Sequence, residues 1–588
     1  MDNMKTCFKK VDYDLVGLLE AIDIGDIGLP DIQRPFVWTN TKVRDLFDSM
    51  YKGFPVGMLL FWENNNSNGI KTIGIDGKPH TIPHLLIIDG QQRLTSLYAV
   101  FKGKKVKNKF YKEYNIEIAF NPRLGKFEVT DATIRKDPDW IANISQLWAT
   151  GFSVFTIIKN YLKKLREKED ISDEEEEQIA HNMDRLFDVQ KYPFTALEIS
   201  ANVEEESVSD IFVRINSEGV QLNQADFILT MMSVYWDEGR ADLEEFSRLS
   251  FIPTKQGEPP TSFNHLINPA PDHLLRVAIA LGFYRSRLKS VYQILRGKDV
   301  QTNEYSDELR NNQFNILKEA QAKVLNLNNW TQFIGNLVGS GFRSDKLITS
   351  NNNVIYSYAT YLIAKYNCGM AQIELDKLIS RWFFFVNLTG RYTVSPESEM
   401  EKDLNKLKTI RDQEGFKNFI EQEIAEKITP DFWKFTIPYE LITSSKRSPV
   451  FNAYIATLIR MNQPVLFSFK KVADLFDPAI TTYKNPLELH HLFPRAYLER
   501  KGIKETTMIN QVANYAYIEW THNNGISDDA PEKYIPEIRK HFTEIEWQDM
   551  HKIHALPENW QNMDYEEFLQ ARRDLIAQRI KEGFEAFK

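Results

Sequence analysis

The stretch Leu487–Ala530 constrains this chain more than any other. It reads LELHHLFPRAYL, then a turn-rich insert, then NQVANYAYIEWTHNNGISDDA. Glu488-Leu489-His490-His491 alternates as a short strand does, which sends neighbouring side chains to opposite faces. Pro494 cannot continue a ladder and turns the chain away. Asn514–Ile518, aromatic-rich and alternating in polarity, predicts a second strand. Asn523-Asn524-Gly525 breaks that strand. Asp528–Glu532 predicts a helix start, because acidic residues suit the positive end of the helix dipole and Pro531 suits an early helical position.

Strand, strand, helix, with two histidines on the first strand and asparagine where the second meets the helix, resembles the HNH (ββα-metal) nuclease motif. The residue types suit that chemistry. Phosphodiester hydrolysis needs a base to deprotonate water and a cation to stabilise the leaving oxygen. A neutral imidazole serves as base near pH 7. A second imidazole and an amide oxygen can hold one divalent ion and leave room for phosphate and water. The resemblance implies His491 as general base and His490 as its metal-ligand neighbour. It implies Asn514 as the middle asparagine that orients the base, and Asn523, at the family's usual spacing, as the distal metal ligand. This sequence departs from the pattern in places. The gap from His491 to Asn514 is longer than in compact versions, Ala513 stands where glycine is common, and Asp528 and Asp529 replace basic residues often found there. Asn524 competes with Asn523 for the metal. The plainer reading is of ordinary strand histidines and turn asparagines.

With 588 residues, the chain has room for several domains with real cores. Its composition, 43% hydrophobic and 26% charged, is that of a soluble globular protein. The net charge of −9 excludes a bulk polycation, so any DNA contact must use local basic surfaces. Two cysteines, Cys7 and Cys368, cannot build a zinc knuckle. The N-terminus has no apolar core of signal-peptide length, and apolar runs such as Trp382–Val386 are too short to span a bilayer. A cytoplasmic protein with no membrane partner is the expectation.

In the N-terminal third, Leu85–Ile88 predicts a short strand running into Asp89-Gly90-Gln91-Gln92-Arg93, and Leu94–Val100 continues as a helix. A helix N-terminus favours an anion, and Arg93 adds a permanent charge, so a nucleotide phosphate is a natural occupant. Asp89 is placed to hold a metal or polarise water. The alternative is a capped turn in which Asp89 pairs with Arg93. The GxxxxGK[ST] pattern is missing, so this is not a Walker A loop.

IDGQQRLTSL, preceded by LPDIQRPFVW and KGFPVGMLLFW and followed by FVRINSEGVQLNQADF, closely resembles the N-terminal domain of GmrSD-type modification-dependent restriction proteins. That domain is similar to the ParB/sulfiredoxin fold. The resemblance implies a site that binds and hydrolyses a nucleoside triphosphate (GTP, CTP, UTP or ATP). Asp89, Gly90, Gln91, Gln92 and Arg93 would form it, with Arg34, Arg214 and Asn216 as further candidates. A cap and salt bridge is the competing role for Arg214 and Asn216. The acidic run Ser172–Glu177 reads as a solvated helix start.

From Met231 to Lys427 the pattern is helical, with apolar spacing in Leu274–Arg287, Leu309–Leu325, Val354–Lys365 and Leu375–Val386. The segment RWFFFVNLTGRYTVSPESEMEKDL is again similar to the family. Its Arg391 and Tyr392 either contact phosphate and base or are structural, with Arg391 pairing with Glu397 or Glu399. Arg495, Arg500, Lys501 and Lys504 near the histidines would steer a phosphate backbone. The expected architecture is α+β and mostly helical. Residues 1–235 form a ParB/sulfiredoxin-like nucleotide-binding and DNA-sensing domain, 236–430 a helical middle, and 431–588 a helical domain carrying the ββα-metal motif.

The resemblance implies a type IV restriction endonuclease for antiviral defence. This hydrolase would cut double-stranded modified phage DNA with Mg2+ or Mn2+ under the control of an NTPase domain. One nuclease site cuts one strand, so a double-strand break needs a homodimer or two successive nicks. Two alternatives stay open. One is a relative that senses phosphorothioate and nicks DNA. The other is a ParB-like nucleotide-switched DNA-binding protein with a degenerate nuclease half.

Overall fold

The computed structural model describes residues 6–28, 38–63, 84–108, 112–148, 153–203, 207–208, 211, 224–295, 297–298, 302, 306–477, 487–519 and 528–587. The chain is α+β and mostly helical, and it divides into two compact units, Met1–Leu222 and Asn223–Lys588.

The first unit holds a five-stranded mixed sheet in the order Phe8–Asp14, Pro193–Ile199, Leu59–Glu63, Leu85–Asp89, Ile27–Gly28. Leu59–Glu63 runs parallel to Pro193–Ile199 and antiparallel to Leu85–Asp89. These central strands read LLFWE and LLIID, the β-branched and aromatic composition of a largely buried sheet. Leu59, Phe61, Leu85, Ile87, Phe194 and Ala196 join one core with Leu15 and Leu18 of the helix Leu15–Asp23, Val43 and Phe47 of Asn40–Tyr51, and Leu94 and Leu97 of Gln91–Lys102. Side-chain caps set several helix starts: Asp14 accepts from Gly17 N at 2.7 Å, Thr39 from Lys42 N at 3.3 Å and Ser172 from Glu175 N at 3.2 Å. Ser172 opens the helix Asp173–Asp188, whose first turn carries the expected acidic run.

The second unit is helical. Gln372–Thr389 is buried on every side from Ile379 to Leu388, so the Trp382–Val386 run is the inside of a protein core. It packs with Asn351–Tyr366 and Pro449–Arg460, and one apolar cluster runs from Ala225 to Phe584, drawing on both sides of position 430. Cys7 is exposed, Cys368 is buried, and both are free thiols. Among the described residues no helix is long and apolar enough to cross a membrane.

A small second cluster surrounds the histidines. Leu487–His491 pairs antiparallel with Tyr515–Glu519, setting His490 opposite Ala516 and His491 opposite Tyr515. The insert between them folds into two short helices, Arg495–Arg500 and Thr506–Ile509. After the hairpin comes the helix Pro531–Arg539, with its proline in the first turn. Leu492, Phe493, Ile509, Ile518, Tyr534, Trp560 and Phe568 fill the space between hairpin and helices.

Candidate functional site

Three buried side chains hold the backbone around His491. Asn514 accepts from Phe493 N at 2.8 Å through Oδ1, and its Nδ2 donates to Phe493 O at 3.1 Å and Ile509 O at 3.0 Å. The hydroxyl of Tyr534, on the helix after the hairpin, donates to Leu492 O at 2.6 Å. Arg572 donates to Ala513 O at 2.7 Å from the long helix Tyr565–Glu585. Asn514 thus fixes the chain just past His491 and ties it to the insert, and whatever it does for the imidazole passes through backbone.

The His491 ring lies against Tyr515, with centroids 4.4 Å apart and planes at 33°. Its Nε2 is 2.9 Å from Oδ1 of Asn510, and the same oxygen is 3.2 Å from the Tyr515 hydroxyl. Lys446 Nζ sits 4.9 Å from the Tyr515 ring centre. Burial pushes the His491 pKa below the ordinary histidine value. The Asn510 hydrogen bond works the other way, and the Lys446 and Arg495 charges lower it further. The ring is therefore neutral near pH 7, as a base requires, and the two nearby cations favour an anionic substrate. Asn510 and Lys446 were absent from the sequence-based set. Both lie outside the two strands, and nothing in their local sequence marks them.

Strand alternation puts His490 next to His491 but on the opposite face, half-buried. Asn523 and Asn524 lie outside the described residues. Among the described residues no group of three His, Cys, Asp or Glu side chains comes together to hold a metal. Of the expected basic steering residues, Arg495 pairs with Glu499 at 2.8 Å and Arg500 donates to Asp528 O at 2.6 Å.

In the first unit, Asp89 ends its strand and Gly90 caps the helix Gln91–Lys102 with φ 97° and no side-chain cap. A Cβ on Gly90 would collide with Leu59 Cδ2, so glycine is required twice over, by conformation and by space. Arg93 folds back over this turn. It donates to Val56 O at 2.7 Å and Met58 O at 2.8 Å and pairs with Asp89 at 3.1 Å. A Cβ on Gly57 would sit 2.5 Å from Arg93 Nη1, so that glycine keeps the guanidinium's place open. Arg93 locks the motif, while the helix end and half-buried Gln91 and Gln92 remain at the turn. Gln91 Nε2 reaches Ile87 O at 3.5 Å. Arg34, Arg214 and Asn216 lie outside the described residues.

Arg391 and Tyr392 are structural, with partners other than those expected. Tyr392 is fully buried and donates to Asp403 at 2.6 Å. Arg391 pairs with Asp403 and Glu423, each at 2.5 Å. Glu397 instead pairs with Arg276 at 2.6 Å, and Glu399 with Lys402 at 2.6 Å. A guanidinium held by two buried carboxylates is not offered to a phosphate.

Over almost its whole length the chain is similar to an uncharacterized protein of Methanocaldococcus jannaschii. The two are 25% identical across 608 aligned residues, covering 98% of this chain and 96% of the other. Residues 15–232 match the family model described as the GmrSD restriction endonuclease N-terminal domain, a span that contains Arg34, the Asp89–Arg93 turn, Arg214 and Asn216.

Proposed function

We propose that this chain is a GmrSD-type restriction endonuclease: a nucleotide-regulated, metal-dependent HNH-type nuclease that cuts modified foreign DNA. The observation that carries this reading is the neutral His491, clamped by Asn510 and Tyr515 on a strand–strand–helix unit, in a chain whose N-terminal span matches a restriction-endonuclease domain.

His491 takes a proton from a water molecule, and the resulting hydroxide attacks phosphorus. The P–O bond to the leaving oxygen breaks as the new bond forms. Lys446 and Arg495 hold the phosphate's negative charge near the base. His490 and Asn523 offer a mixed imidazole and amide donor set for Mg2+ or Mn2+, and water and phosphate would complete it, as is usual for magnesium. An ion held by them would supply Lewis-acid stabilisation of the charge that develops as the P–O bond breaks. In the first unit, a nucleoside triphosphate would set its phosphates against the glycine-capped end of Gln91–Lys102, beside Asp89.

The test is cleavage of unmodified plasmid against phage DNA carrying glucosylated hydroxymethylcytosine, with magnesium and mixed nucleoside triphosphates. Wild type is expected to cut the modified DNA, and His491→Ala to lose about 10²–10⁴-fold in rate, the usual contribution of a general base. Asp89→Ala losing both nucleotide hydrolysis and cutting ties the first unit to activity. Cutting that survives His491→Ala refutes the assignment of the base. Cutting confined to phosphorothioate DNA moves the substrate to a backbone modification. Nucleotide hydrolysis with no cutting of any DNA favours a nucleotide-switched binding protein.

A further inference from the structure

We propose that Asn510 is the positioning residue of the candidate base: it holds His491 with the hydrogen on Nε2, so that Nδ1 is the atom that accepts the proton. The proposal deepens the nuclease reading and rests on His491 being the base.

Two contacts converge on one atom. Oδ1 of Asn510 lies 2.9 Å from His491 Nε2 and 3.2 Å from the Tyr515 hydroxyl. An amide oxygen only accepts hydrogen bonds, so both neighbours donate to it. A neutral imidazole carries one hydrogen, and Asn510 therefore decides which nitrogen is bare. Tyr515, opposite His491 on the ladder, lies over the ring face and opposes rotation out of plane.

Asn510 is itself held from several directions. Its own N–H donates to Thr506 O at 3.0 Å. Just before it, the Ile509 carbonyl accepts from Asn514 Nδ2 at 3.0 Å and from the Tyr565 hydroxyl at 3.2 Å. Just after it, the Gln511 side chain accepts from Arg573 at 2.7 Å, and Val512 N donates to Thr443 O at 2.8 Å. The two asparagines therefore divide one task. Asn514, fully buried, fixes backbone on both sides of the site, and Asn510, on that fixed backbone, addresses the ring.

The experiment uses the full chain labelled with [15N]histidine, sedimented and observed by 15N NMR at pH 8. His491 is identified by difference against His491→Gln. The expected wild-type spectrum shows Nε2 protonated and Nδ1 bare. Asn510→Leu is expected to give a mixture of tautomers, and Asn510→Asp, which keeps an acceptor oxygen, the wild-type form. A wild-type ring protonated on Nδ1 overturns the proposal without any variant, as does an unchanged tautomer in Asn510→Leu. Kinetics on modified DNA give a second readout: Asn510→Leu is expected to lower kcat about 100-fold with KM unchanged, and Asn510→Asp to stay within about threefold of wild type. Equal kcat losses in both variants overturn it. Cleavage that survives His491→Ala removes His491 as the base instead, and the spectrum still decides whether Asn510 sets the ring.

Discussion

His554 shows how burial decides the charge of a single residue. Its Nε2 lies 3.0 Å from the Pro464 carbonyl, which only accepts, so the buried ring is neutral and donates. Burial, helped by the Arg572 and Arg579 charges and opposed by the Pro464 hydrogen bond, lowers its pKa to about 3. Above about pH 6.5 the ring is neutral in the folded and unfolded chain alike and adds no pH dependence. As pH falls from there toward 3, the unfolded chain takes up a proton that the folded chain refuses, and stability drops by about 1.4 kcal/mol per pH unit. The urea midpoint of the second unit is therefore expected to decline from pH 7 to 5, with a shallower slope in His554→Gln. An unchanged slope would place the titrating group elsewhere. Gly90→Ala belongs to the same scale. A left-handed φ and a collision with Leu59 together are expected to destabilise the first unit by about 2–4 kcal/mol, measured by chemical denaturation.

At the scale of elements, the hairpin and its helix act as one piece because the side chains of Asn514, Tyr534 and Arg572 bond the backbone around His491. Tyr534→Phe removes the 2.6 Å bond to Leu492 O and is expected to cost about 1–2 kcal/mol. Hydrogen exchange at the amides following His491 should quicken with it. If exchange there is unchanged while global stability falls, the helix does not brace the hairpin. Both strands and the helix start were legible in the sequence, since period-two alternation and an early helical proline are local signals. The insert was not. Its helices span six and four residues, too short for a 3.6-residue period to show. Asn510 sits at the end of the second of them, so its role was hidden with the element that carries it.

At the scale of the whole molecule, the two units have separate cores. One draws on Leu15 to Ala196, the other on Ala225 to Phe584. Calorimetry of the full chain is expected to show two unfolding transitions, with Gly90→Ala lowering one of them alone. A single transition that shifts as a whole would mean the cores unfold together. The likeness of the N-terminal part was also legible at this scale, because several segments occurring in order are specific where each alone is weak, and residues 15–232 match the model described as the GmrSD restriction endonuclease N-terminal domain.

The sequence by itself determined what depends on neighbours along the chain: the strand of His490 and His491, the helix start at Ser172, and the glycine turn before Arg93. These follow from periodicity, capping and allowed φ, which act over a few residues. Tertiary structure alone decided which partner each polar group found. Arg391 passed over Glu397 and Glu399 for Asp403 and Glu423. Arg93 closed onto Val56 and Met58 as well as Asp89. His491 met Asn510, a residue no strand pattern points to. Partner choice is a matter of distance in space, and burial, which makes a missing partner costly, exists only once the cores have formed.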